Sequence, residues 1–325
     1  MENLKTSLNG YRIDFELSKV PIPFVNGLRR ILLAEIPTVV IRDVVIRSNT
    51  TQLNHEMLKH RVEMLPVNVR ASEVGVIRDA KLRVHFDPSP EVGRLVTTDD
   101  FVVSGSPRGE ILLKDRDLAT PLMFLRLNVG GKHPEDGLHV EASLGVSQTG
   151  ASQVCVATFK NHIDPKLADE HRDAYLMGEG SLASKDIRIF DNHLIQRSFE
   201  RDENGRPTRF DFTIESIGVT PARDLLREAV EVYKNKVTEF LKEPIAKADD
   251  GAFVIESPTE GHTLGYFAQT LILESGLVDF VSYDPGHPLV PKLTLRFRTK
   301  VKAETVLERF RTDAMALFES ILKGV

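Results

Sequence analysis

Cysteine occurs once in these 325 residues, at Cys155. A single thiol excludes an intramolecular disulfide and any multi-cysteine metal site, and makes a reducing compartment the default expectation. No uninterrupted apolar run approaches the ~20 residues that a helix needs to span a bilayer. The N-terminal stretch MENLKTSLNGYRIDFELSKV lacks the basic segment and apolar core of a secretory signal. Positive charge is not in excess either. Lys and Arg number 42 against 47 Asp and Glu, a formal net charge of -5, which argues against a chain that wraps nucleic acid along its whole length. A soluble intracellular protein is expected. With 41% hydrophobic residues, a chain of this size buries roughly 75% of its unfolded surface and divides into two or three domains.

What is present begins with YRIDFELS, where Tyr11, Ile13, Phe15 and Leu17 alternate with Arg12, Asp14, Glu16 and Ser18 in the period of a half-buried strand. VPIPFVNGLRRILLAEIP carries Phe24, Leu28, Ile31 and Leu32 at helical spacing and stops at Pro37. TVVIRDVVIRSN returns to β-branched residues and reads as a strand. From about 48 to 186 the texture changes. After one short helix, NHEMLKHRVEML, apolar runs are short and separated by turn chemistry (FDPSPEVG, SGSPRG, NVGGKHPEDG), the pattern of an antiparallel β-module. NVGGKHPEDG reads as a surface loop, since a phosphate cradle needs a helix N-terminus after it.

Near 187 the first texture resumes. FDFTIESIG alternates through Phe210, Phe212 and Ile214, and TPARDLLREAVEVYKNKVTEFLKE reads as a long helix with Thr220 as N-cap and Pro221 at its first position. Its apolar stripe is Leu226, Ala229, Tyr233, Val237, Phe240 and Leu241. PIAKADDG reads as a linker. AFVIE, EGHTLGYFAQTLILESG, PKLTLRFRTK and AETVLERFRTDAMALFESIL then give strand, helix, strand and amphipathic helix, the last with Leu307, Phe310, Ala314, Leu317 and Ile321 on its apolar face. The second series is the first without its insertion. The expected class is α+β: two domains of a sheet plus two helices, paired through their helices within one chain, the first carrying an inserted antiparallel β-rich module. The boundaries are 1–47 with 187–243, an insertion over 48–186, a linker over 244–251 and a second domain over 252–325. Eight linker residues reach at most ~27 Å, enough to cross a small domain.

FVNGLRRILLAEIPTVVIRDVVIRSNTTQLNHEMLKHRVEMLPV resembles the signature of the α-like subunits of DNA-directed RNA polymerase: the third-largest subunit of eukaryotic polymerase II, archaeal D and bacterial α. FDFTIESIGVTPARDLLREAVEVYKNKV is similar to the second half of the same dimerisation domain, and EGHTLGYFAQTLILESGLVDFVSYDPGHPLVPKLTLRFRT to the small α-like partner, the eleventh subunit of polymerase II or archaeal L. The resemblance covers nearly the whole chain, most weakly between about 70 and 135. It implies a fusion of the two α-like subunits, as found in nucleocytoplasmic large DNA viruses. The role implied is a non-catalytic platform that docks the second-largest catalytic subunit, the largest subunit and small subunits similar to the tenth and twelfth of polymerase II. It implies docking through Asn26, Arg29 and Arg30, joined by His60, Arg61 and Pro66, and a helix-pair core of Leu28, Ile31, Leu32, Tyr233, Val237, Phe240, Leu271, Leu307, Phe310 and Leu317. The location implied is the host cytoplasm or the virion for a viral chain, with a nuclear phase left open.

Departures are also visible. Tyr266 stands where the small partner's signature has Asn, and the cysteine clusters that hold zinc or iron–sulfur centres in some relatives cannot be built from Cys155 alone. No cofactor or zinc is therefore expected. No counterpart of the bacterial subunit's C-terminal DNA-binding domain is expected after the last helix. An enzyme reading finds little support. HEMLKH has the outline of a zinc-protease helix, yet His55 and His60 are five apart and diverge around a helix, where that motif needs i, i+4. His133, His139, His162 and His171 show no ligand spacing. Arg296, Arg298, Lys300 and Lys302 in LTLRFRTKVK could meet phosphate, but basic residues on an exposed strand also discourage edge pairing. The alternative function is a stand-alone adaptor or nucleic-acid-binding module on the same fold; neither base-specific DNA contact nor membrane association is expected.

Overall fold

The computed structural model describes residues 1–147, 154–179, 184–287 and 289–324. The chain opens with strands β1 (Glu2–Ser7) and β2 (Arg12–Ser18), helix α1 (Ile22–Ala34) and strand β3 (Thr38–Asn49). Helices α2 (His55–Glu63) and α3 (Val74–Ile77) follow, then β4 (Lys81–Phe86), β5 (Leu95–Thr97), β6 (Val102–Ser104), β7 (Met123–Arg126) and β8 (Leu138–Ser147). Next come β9 (Cys155–Asn161), α4 (Pro165–Glu179), α5 (Ser184–Asn192), β10 (Arg209–Ser216) and α6 (Ala222–Phe240). The C-terminal part contains β11 (Ile245–Lys247), β12 (Phe253–Ser257), α7 (His262–Glu274), β13 (Val278–His287), β14 (Val290–Thr299) and α8 (Ala303–Leu322). No helix among the described residues is long and apolar enough to cross a membrane.

The chain forms two compact units: Met1–Ile31, Ala157–Glu215 and Leu226–Val325 make the first, Leu32–Val156 and Ser216–Leu225 the second. Two antiparallel sheets, in the orders β1-β2-β10-β9 and β11-β12-β14-β13, underlie the first unit. In the first sheet Phe15 lies opposite Phe212 and Ile13 opposite Ile214, and the two phenylalanine rings stack at 5.2 Å. The alternation of β2 thus buries Ile13, Phe15 and Leu17 while Arg12, Asp14 and Glu16 line the other face. The second sheet repeats the scheme with Leu293, Leu295 and Phe297 buried. Of the basic residues beside them, Arg296 and Arg298 share Asp250 at 2.5 and 3.4 Å, so this strand is charge-compensated.

Helices α1, α6, α7 and α8 supply the core of this unit. Phe24, Tyr233, Phe267 and Phe318 form a four-ring cluster with every pair of centroids 5.2–6.3 Å apart. Of the ten expected core positions, nine are buried. The tenth, Leu317, is only half-buried, and Phe318 is buried in its place: stepping four rather than three residues from Ala314 centres the stripe on the ring cluster. Helix α6 starts at Ala222, with the Pro221 carbonyl accepting from the Leu225 N–H at 3.1 Å, so Pro221 rather than Thr220 stands at the cap. The linker over 244–251 contains a strand: β11 pairs with β12, Ala246 opposite Val254.

The insertion ends earlier than 186. Strand β9 joins the sheet beside β10, and α4 and α5 belong to the first unit, where Tyr175 and Phe190 lie 5.9 Å apart. The described stretches 165–179 and 184–192 are helical, not β. The second unit holds the sheets β3-β8-β4-β6 and β5-β7 around a core that includes Leu58, Val62, Leu82, Phe124 and Val140.

Candidate subunit-docking surface

Helix α1 has one face fixed by the core and one free. Phe24, Val25, Leu28, Ile31 and Leu32 are all fully buried. Gly27 allows the close approach of α6: a Cβ there would fall 2.7 Å from Tyr233 Cζ and closer still to its Oη. Asn26, Arg29 and Arg30, at i, i+3 and i+4, are neighbours on the helix surface. Asn26 and Arg30 are exposed and Arg29 half-buried. Among the described residues none of the three side chains has a hydrogen bond or ion pair. Arg12, Arg47, Arg108, Arg209 and Arg296, by contrast, each have a carboxylate partner.

His60, Arg61 and Pro66 lie in the second unit. His60 is exposed on α2, which Asn54 caps by accepting the Met57 N–H at 2.8 Å. Arg61 is engaged inside its own unit: Nε donates to the Phe124 carbonyl at 3.1 Å, a second guanidinium nitrogen donates to the same oxygen, and the group lies 5.9 Å from the Phe124 ring centroid. The Pro66 carbonyl accepts the Leu113 N–H at 2.9 Å. These contacts give Arg61 and Pro66 architectural work whatever else they meet.

Sequence patterns missed other polar features. Glu260, 8% exposed, pairs with Lys236 of α6 at 3.0 Å; nothing in local spacing joins residues so far apart. In the loop NVGGKHPEDG, Asn128 and Asp136 are buried, and the Asp136 carboxylate accepts the Asn128 N–H at 2.7 Å, which locks a loop expected to lie at the surface. Tyr266 is exposed, 6.3 Å from the Tyr283 ring. It borders a cleft of about 190 Å³ with Lys19, Pro21, Arg206 and Glu274. Burial pushes the Glu274 carboxyl up, against the pull of Arg206 at 3.5 Å.

Among the described residues, two groups have the donors for a cation. Glu16, His162 and Asp211 lie within 4.8 Å of one another, but Arg209 donates to Glu16 at 2.9 Å and Lys160 lies 3.7 Å from Asp211, so protein cations already balance that charge. His133, Glu135 and Asp136 form the second group, where Asp136 is already holding the loop. Cys155 is buried, its thiol donating to the Leu32 carbonyl at 3.3 Å. Burial pushes that thiol up to about 12, far from the thiolate a metal or a reaction would use.

A duplicated sheet-and-two-helix unit, with one helix presenting arginines that have no partner among the described residues beside a packed seam, has the build of a pairing domain. The RNA polymerase Rpb3/Rpb11 dimerisation domain matches this chain twice, over residues 14–237 and 252–324. The chain belongs to that family, as a fused two-domain α-like subunit. Among its relatives, DNA-directed RNA polymerase subunit Rpo3 of Methanocaldococcus jannaschii is 25% identical over 74% of this chain and 94% of its own. DNA-directed RNA polymerase II subunit rpb3 of Dictyostelium discoideum is 25% identical, over 70% of this chain and 89% of its own. From the same organism, DNA-directed RNA polymerases I and III subunit rpac1 is 39% identical over 72% and 80%. These relatives are archaeal and eukaryotic; the expectation of a viral source rests on the fused arrangement alone.

Proposed function

We propose that this chain is a non-catalytic assembly platform of a multisubunit DNA-directed RNA polymerase, and that its second-largest catalytic subunit docks on α1. The observation that carries this reading is the pair Arg29 and Arg30, free of partners among the described residues on a helix whose opposite face is fully buried. Guanidinium groups bind carboxylates bidentately and lose little entropy per bond, so a rigidly mounted pair suits an acidic surface on a large subunit. Asn26 extends the same face, and His60 and Arg61, both exposed, with half-buried Pro66, offer a separate contact on the second unit. The largest subunit and small subunits similar to the tenth and twelfth of polymerase II complete the proposed partners. No cofactor, zinc, membrane or base-specific DNA contact enters this role, and the chain works wherever its polymerase does inside the cell.

The test is co-expression with the second-largest polymerase subunit of the same organism. A stoichiometric complex at moderate salt is expected, lost in the double variant Arg29→Glu, Arg30→Glu while the isolated chain keeps its thermal stability. Retained binding removes those residues from the interface. A folded chain that ignores the large subunit but binds nucleic acid with a steep salt dependence would favour the stand-alone module instead.

A further inference from the structure

The two halves of the first unit repeat each other position by position, but the bulk of their interface side chains does not. Helices α1 and α7 both have 13 residues, and α7 starts 240 later (His262 against Ile22). The buried positions Phe24, Val25, Gly27, Leu28, Ile31 and Leu32 recur as Leu264, Gly265, Phe267, Ala268, Leu271 and Ile272, all buried. Helix α8 starts 81 after α6 (Ala303 against Ala222), and its buried residues from Ala303 to Ile321 all fall on buried residues of α6. At four equivalent positions, size is reversed: Gly27 against Phe267, Ala229 against Phe310, Tyr233 against Ala314, Val237 against Phe318. The four-ring cluster takes two rings from each half, yet from positions that the repeat does not relate.

We propose that these reversals set partner choice: the helix face of the first half accepts the second half and rejects a copy of itself, and the second half does likewise. Two chains can then meet through this face only by exchanging unlike halves, and one chain closes on itself. Interiors are close-packed, so both vacancy and excess are penalised. Pairing two first halves would set two Tyr233 rings at equivalent places and leave Gly27 and Val237 where Phe267 and Phe318 now sit. Pairing two second halves would bring Phe267, Phe310 and Phe318 twice over into space that holds each once. The Lys236–Glu260 pair adds an independent lock, because its members come from different halves and like pairing separates them. The β11–β12 pairing shortens the free connection after Phe240 and favours closure within one chain.

The experiment starts from the folded full chain, with a protease site placed in the exposed Asp249–Gly251 turn and cut after folding. Cut protein is mixed with an isotope-labelled cut sample in moderate urea, the urea is removed, and native mass spectrometry reads the pairs. Unlike pairs with scrambled label are expected, with like pairs below about one in ten, the population that a difference near 1.4 kcal/mol enforces. Like pairs of either fragment above that share overturn the proposal. So does failure of the cut halves to re-pair in conditions where the uncut chain refolds, because the helix faces would then not choose partners themselves. Val237→Phe puts a ring at the Phe318-equivalent position of the first half as well, and is expected to weaken re-pairing by about tenfold or more; unchanged pairing removes the steric basis.

Discussion

Cys155 shows how one buried atom sets chemistry. Its thiol loses hydration, keeps its proton to about 12 and hydrogen-bonds to Leu32. In the folded chain it is expected to ignore a thiol reagent at pH 8 and to react stoichiometrically once denatured; a fast native reaction would mean the site opens. The unfolded thiol ionises near ~8.5. The fold binds that proton more tightly, so stability from this group is complete below that pH and declines as pH rises toward 12. Leu317 and Phe318 illustrate a second residue-scale point. An apolar stripe advances by three or four, and from Ala314 either residue continues it. Sequence spacing selects Leu317; three-dimensional packing selects the ring. Phe318→Ala and Phe310→Ala are each expected to cost ~3–5 kcal/mol in denaturant unfolding, and Leu317→Ala about 1 kcal/mol.

At the scale of elements, legibility followed periodicity. Strands β2, β10 and β14 alternate cleanly, and α1, α6 and α8 carry stripes, so local pattern revealed them; the docking role proposed for α1 came instead from the family resemblance of its sequence. Helices α4 and α5 were illegible because their sequences are largely polar: in α4 only Ala168 is buried among the side chains described. Strand β11 is three residues long and gains its identity from pairing with β12. The edge of the insertion was misplaced for a similar reason, since β9 joins a partner far along the chain and no local pattern encodes it. The outer face of the first sheet makes its own prediction. The Arg12 hydrogen bond holds the Asp14 carboxyl below its ordinary range, against the opposing effect of burial. At Glu16 burial pushes upward, but Asn3 and Arg209 outweigh it and the net shift is down. Carboxyls lowered by folding stabilise the fold above their unfolded values, and that contribution is lost as pH falls through the folded ones. Urea midpoints are therefore expected to drop from pH 7 to pH 3, with a shallower drop in Arg12→Ala; an equal drop in the variant would place the acid sensitivity elsewhere.

Across the whole molecule, the question is which polar groups hold the chain together and which are left for others. Lys236 and Glu260 join the halves from within, with side chains 20% and 9% exposed. Removing one partner of a buried pair leaves the other charge less well compensated, so Lys236→Ala is expected to cost up to ~3–5 kcal/mol, whereas Lys236→Met with Glu260→Leu should recover most of it. Arg29 and Arg30 are the opposite case. No partner among the described residues depends on them, so reversing both charges should shift the thermal midpoint by less than the roughly 1 °C that about 0.5 kcal/mol produces in a chain this size. The two variant sets should therefore separate in a paired measurement of thermal midpoint and co-elution with the second-largest polymerase subunit. Lys236→Ala should lower the midpoint yet retain binding at a temperature where the chain is still folded, and the Arg29, Arg30 double variant should do the reverse. If both sets lost binding only in proportion to lost stability, α1 would be a structural helix like α7, and the docking surface would have to be sought on the second unit, starting from His60.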